Sequence, residues 1–175
     1  MTHVALVSDT HGRIDDVFDK YLKECDLILH AGDYGDWSVI DKLSSFAPVK
    51  LVSGNIDSPF YRNEAPLVLR FNIEELSFLM MHIGGYPGKY SKNAKMELAL
   101  QKPDVFVCGH SHILRIIYDN KLEMLTLNPG AMGFEGFHNV RSIICFDVDG
   151  KNISNMRTVT FPRNVLKNVD AVQNY

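Results

Sequence analysis

A chain of 175 residues, 46% of them hydrophobic, is long enough to bury one substantial core and too short for two comfortable ones, so a single domain over 1–175 is expected. The formal charge of −3 and pI near 6.1 give no broad basic footprint, which argues against a duplex-binding module, and three widely spaced cysteines build neither a disulfide framework nor a zinc finger. No apolar stretch approaches the roughly 20 residues of a membrane span, and the chain enters a strand-like run without a charged leader, so a cytoplasmic location is expected.

In chain order, apolar runs rich in β-branched residues at 4–7, 27–29 and 49–52 predict strands. Between them, Ile14, Val17, Phe18, Tyr21 and Leu22, then Val39, Ile40, Leu43 and Phe46, recur at three-to-four spacing and predict helices. The first 54 residues therefore read as a parallel βαβαβ unit. After Pro59 the pattern changes: 67–71 and 76–81 read as strands joined through Asn72 to Glu75, and 92–100 as a helix stopped before Pro103. Another strand follows at Val105. The last third is strand-like, with hairpin turns at Asp119-Asn120 and at 149–152, and the tail over 163–175 is expected to fray or to cover a sheet edge.

The strand ends carry the chemistry. Asp9 and His11 follow the first run, Gly32-Asp33 the second, Gly54-Asn55 the third, His82 the run at 78–81, and Gly109-His110-Ser111-His112 the run at 105–108. A lone Gly-Asp or Gly-Asn is usually a turn, and a lone histidine is usually packing; His3 and His30 are read that way. Two imidazoles separated by one residue at a strand end form the sharpest local signal, because they can ligate neighbouring cations. In open α/β sheets the site lies just beyond the carboxyl ends of the strands, where dispersed segments meet. Two carboxylates, one amide and four histidines, with no thiolate, suit manganese, iron, nickel or zinc. Two such ions about 3.5–4 Å apart bind phosphoryl oxygens and lower the pKa of a bridging water for in-line attack. Asp33 has the two oxygens needed to serve both.

With Asp9-Thr10-His11, Gly32-Asp33-Tyr34-Gly35-Asp36, Gly54-Asn55, His82 and Gly109-His110-Ser111-His112 in this order, the chain resembles the calcineurin-like metallophosphoesterase superfamily over about residues 3–148. Within it, the chain is similar to the small bacterial and archaeal phosphodiesterases. The resemblance implies an α/β four-layer fold, two packed mixed β-sheets flanked by helices. It also implies two divalent metals per subunit, manganese foremost with nickel, zinc or iron as alternatives, a small phosphodiester substrate and homo-oligomers. One metal would take Asp9, His11, Asp33 and His112, the other Asp33, Asn55, His82 and His110. Asn128-Pro129-Gly130 looks like the turn that closes the family's metal centre.

Two positions depart from the family's phosphatases. Trp37 follows Asp36 where an arginine commonly holds phosphate, and Ile56 follows Asn55 where a histidine commonly assists the leaving group. Isoleucine can neither donate a proton nor bind a phosphate oxygen, which favours diesters. Asp36 and Asp57 are placed as partners that orient the His or Asn ligands. His138 and Arg141, in and after a glycine-rich aromatic loop, are candidates to contact the substrate's phosphate or base ring. The rival reading is a non-catalytic protein-binding scaffold like the retromer subunit that shares this fold. A nuclease acting on polymers would need an extended basic groove, which no Lys/Arg run supplies.

Overall fold

The computed structural model describes residues 1–163 and 171–174. Strand β1 (Thr2–Val7) pairs in parallel with β2 (Leu27–His30), and β2 with β3 (Val49–Leu51), as the early pattern predicts. The first crossover is less helical than its spacing suggests. It makes a 3-10 turn at Asp16–Phe18 and then α1 over Asp19–Leu22 alone. Aspartates are weak helix interior residues, and Asp15 is held in extended backbone while it accepts from Arg141 at 2.8 Å. Phe18 and Leu22 nevertheless reach full burial. The second crossover is α2 (Trp37–Ser44), whose first turn is capped by the Asp36 carboxylate accepting from Ser38 N.

The chain then builds a second sheet from β4 (Val68–Ile73), β5 (Leu76–Met81), β6 (Val105–Val107), β7 (Leu114–Asp119) and β8 (Met124–Pro129), in the order β4-β5-β6-β8-β7. Helix α3 (Lys92–Leu100), capped by Ser91, crosses between the parallel strands β5 and β6. The hairpin of β9 (Val140–Asp149) and β10 (Asn152–Pro162) returns to the first sheet, where β9 lies antiparallel to β1. Of the tail, Ala171–Asn174 form β11 on the edge of β10, and 164–170 and 175 lie outside the described residues. The first sheet thus runs β11-β10-β9-β1-β2-β3.

Side-chain alternation along the strands sorts the core into layers. Val4 and Leu6 of β1 meet Phe78 and Met80 of β5 and Val105 and Val107 of β6 between the two sheets. Ala5 and Val7 face the opposite way, packing with Phe18, Leu22, Ile40 and Leu43. On the far side, Leu79 and Phe106 bury Ala94 and Leu98 of α3. The result is the expected four-layer arrangement of two mixed sheets flanked by helices. Among the described residues, no helix is long and apolar enough to cross a membrane.

Candidate metal centre

The loops that follow β1 and β2 in one sheet meet those that follow β5 and β6 in the other. Five residues there hold positive φ angles that L side chains rarely adopt: Asp9 (53°), His11 (48°), Asp33 (56°), His110 (67°) and His112 (55°). Each costs on the order of 1–3 kcal/mol, which persists only where surrounding contacts over-determine it. Those contacts are present. Asp9 N donates to Gly32 O and His11 N to Asp33 O, both at 3.0 Å, while Gly109 N donates to His82 O at 3.0 Å. Gly54 completes the lacing, because a Cβ there would collide with the Asp33 backbone nitrogen and Oδ1.

The side chains form two triads of donors, Asp9–His11–His112 and Asp33–His82–His110, each with its ligand atoms within 4.8 Å of one another. Asp33 Oδ2 lies 3.1 Å from His82 Nε2 and 3.8 Å from His11 Nε2, so it reaches a member of each triad. Asp9 Oδ1 lies 3.2 Å from His112 Nε2 and 3.8 Å from His82 Nε2. Asn55 is exposed beside His82 on the wall of an adjoining cleft.

The imidazole protons are fixed from behind. His82 Nδ1 stands 2.7 Å from Ala31 O, and since a carbonyl only accepts, that nitrogen carries the hydrogen. Neutral His82 therefore turns a bare Nε2 lone pair on the Asp33 carboxylate. Two lone pairs at 3.1 Å repel unless a proton or a cation lies between them. Burial opposes an imidazolium here, yet the Asp33 hydrogen bond and the Asp9 and Asp33 charges outweigh it and raise the His82 pKa. Burial likewise opposes charge on Asp33, and the His82 bond overrides it to lower that pKa. With His82 neutral, Asp9 Oδ1, His11 Nε2 and His82 Nε2 are all buried without a hydrogen-bond partner. An oxygen-and-nitrogen donor set with orphaned, converging lone pairs fits divalent cations.

Several supporting residues sit differently from their sequence reading. Asp57 is buried and orients backbone rather than ligand side chains: Oδ2 accepts from Asp33 N at 2.9 Å and Gly54 N at 2.7 Å, and Oδ1 from Gly35 N at 2.8 Å. Asp36 is exposed and spends its carboxylate on the α2 cap, so it orients no ligand. Arg141 is wholly buried, bonded to Asp15 with its guanidinium 4.1 Å over the Phe134 ring, and is enclosed in the core instead of facing a phosphate. His138 lies with Nδ1 3.1 Å from His112 Nδ1 and Nε2 3.1 Å from Gly133 O, which leaves neither nitrogen for substrate.

His30, read as packing, has a more specific place. Gly32 N donates to its Nδ1 at 3.2 Å, so Nε2 carries the hydrogen and donates to Thr10 Oγ1 at 3.0 Å; that hydroxyl donates to Tyr34 O at 3.3 Å. This chain ties together the two loops bearing Asp9 and Asp33. The only trace in the sequence is a histidine interrupting an apolar run before Ala31-Gly32. Burial pushes the His30 pKa down to about 4 from the ordinary 6.5. A base depressed in the folded state contributes its full stability above the unfolded pKa and loses it as pH falls. Metal-free protein should therefore lose on the order of 3 kcal/mol between about pH 6.5 and 4 through this group. Urea unfolding across that range should fall less steeply for His30→Gln; parallel slopes would remove His30 as the cause.

Comparison with known proteins agrees with this geometry. The family described as calcineurin-like phosphoesterase superfamily domain matches residues 2–151. A probable metallophosphoesterase of Methanothermobacter thermautotrophicus is 32% identical over 136 residues, covering 73% of this chain and 76% of that protein. In fold, the chain is similar to Vps29 of Chaetomium thermophilum, with TM-score 0.79 and 19% identity over 100% of this chain and 96% of that one. It is also similar to Vps29 of Entamoeba histolytica complexed with zinc, with TM-score 0.73 and 17% identity over 98% of each chain. Two donor triads on matched loops, and a family match that spans both, make this chain a member of the calcineurin-like phosphoesterase superfamily.

Proposed function

We propose that the protein is a metal-dependent phosphodiesterase acting on small diesters, with two divalent ions, manganese foremost, held by Asp9, His11, Asp33 and His112 and by Asp33, Asn55, His82 and His110. The observation that carries this reading is Asp33 Oδ2 set between His11 and His82, one from each triad. When bound, the ions supply charge for the phosphoryl oxygens and ionise the attacking water. Asp9 and Asp33 provide the negative charge that retains them. Nδ1–H of His82, fixed on Ala31 O, keeps Nε2 aimed inward.

The preference for diesters rests on Ile56 and Trp37. Ile56 is 46% exposed at the site's rim and contributes only its backbone N–H, which donates to Asp33 Oδ1 at 3.1 Å. Trp37 is stacked on Tyr61 at 4.2 Å, committed to packing. Neither gives a monoester dianion the proton donor or cation it needs. A cleft of about 510 Å³ opens beside Asn55 and His82, with Leu67 and Ile83 as apolar wall and Arg62 and Lys92 as cations. It offers room for the second ester substituent.

The test loads purified protein separately with manganese, nickel, zinc and magnesium and measures matched aryl diester and monoester. Diester turnover should exceed monoester turnover by about tenfold or more, a barrier difference of about 1.4 kcal/mol. Equal or faster monoester hydrolysis would remove the diester reading. The Vps29 likeness in fold favours one other reading, a protein-binding scaffold. Absence of hydrolysis with every metal, together with capture of a protein partner, would establish it instead.

A further inference from the structure

We propose that His138 is a positioning residue that fixes His112 in the tautomer presenting Nε2 to the first metal position, a role that rests on the metal-centre reading above. The argument is one of hydrogen-bond direction. Gly133 O accepts only, so His138 Nε2, 3.1 Å away, is the protonated nitrogen and Nδ1 of a neutral ring is bare. His112 Nδ1, 3.1 Å from that bare nitrogen, must then donate. Its own Nε2 is left as a lone pair, 3.2 Å from Asp9 Oδ1 and grouped with Asp9 and His11. The Arg163 guanidinium donates to Gly136 O in the same loop.

The loop is built to hold this ring. It leaves β8 at Pro129 and enters β9 at Val140, and both sides are tied to the site or to the neighbouring sheet. Met132 N donates to Ser8 O at 2.9 Å and Gly133 N to Asp9 O at 3.1 Å, so the segment is anchored on the backbone of a ligand residue. Phe134 is clamped between Arg13 at 4.4 Å and Arg141 at 4.1 Å, and Arg163 N donates to Asn139 O at 2.9 Å. Gly136 crosses the face of His112 at φ 114°, where a Cβ would run into Nδ1 and come within 2.7 Å of Cε1. The two imidazoles meet edge to face at 5.0 Å between centroids. Buried Arg141 thus acts on the site through Phe134 and the loop.

Partners that orient a ligating histidine are typically worth about 10–100-fold in metal affinity. His138→Ala should weaken manganese binding by that factor at the site abolished by His11→Ala, and change the other site by less than about twofold. His138→Asn places an amide oxygen where Nδ1 stood and should recover most of the loss, whereas His138→Gln, with its oxygen one carbon further out, should not. Calorimetric titration of metal-free protein reads these affinities. Long-range ¹H–¹⁵N spectra of the same protein should show His112 protonated on Nδ1 in the wild type and as a tautomer mixture in His138→Ala. Unchanged affinity in His138→Ala, equal weakening of both sites with a lowered melting temperature, or a wild-type His112 protonated on Nε2 would each overturn the proposal. If the wild type took up no metal, the phosphoesterase reading would fall, and the His112 tautomer would still decide whether His138 orients that ring.

Discussion

Asp33→Asn should abolish hydrolysis, by about 10³-fold or more, while leaving the fold standing. The amide retains an Oδ1 that can accept the Ile56 N–H, now 3.1 Å from the carboxylate, so the loop keeps its local bond. What disappears is the charge and the second oxygen, the one between His11 and His82. In its place an NH₂ would donate to the bare His82 Nε2, occupying the lone pair a metal requires. Metal analysis should show fewer than two ions per subunit on the preparation whose turnover and melting temperature are measured. Full occupancy with wild-type turnover would remove Asp33 from the bridge.

Asp57→Asn should cost about 2–4 kcal/mol of stability and weaken metal binding together, although Asp57 belongs to neither triad. Its two oxygens accept three backbone N–H groups, from Asp33, Gly35 and Gly54. Asparagine keeps one oxygen and turns an amide N–H₂ toward at least one of those donors, leaving it unsatisfied in a buried position. For a domain of this size the loss corresponds to a fall of roughly 4–16 °C in melting temperature. The strained Asp33 backbone would relax with it, displacing the carboxylate. Unchanged thermal unfolding and metal affinity would show that solvent replaces the three bonds and that Asp57 is dispensable.

How far the sequence carries depends on how local the cause is. Strand β5 and helix α3 fall at the predicted 76–81 and 92–100, because an apolar run and a serine cap act over a few residues. The triads were legible because a short strand that ends on Asp or His exposes its chemistry in the motif itself. The sequence misplaces Arg141 because its partner Asp15 lies 126 positions away, and no local pattern announces that a guanidinium will be buried over Phe134. Asp36 is ambiguous in sequence because a carboxylate before Trp37-Ser38 serves a helix cap as well as it serves a ligand. The sequence points His138 toward substrate because its approach to His112 depends on a loop folding back from the β8–β9 connection. Hydrogen-bond direction, which separates a tautomer clamp from a substrate contact, is a property of the assembled site.

The layered fold gives the triads a mechanical meaning beyond chemistry. Asp9, His11 and Asp33 leave strands of one sheet, whereas His82, His110 and His112 leave strands of the other, so each triad straddles the seam. Backbone ladders run within each sheet, and the interior between them is apolar, with contacts such as Leu6, Leu29, Met80 and Val107 that carry no direction. An ion held by either triad would be a directional fastener joining the layers at one rim. It would resist the sheets shearing past one another and leave the opposite rim free to breathe.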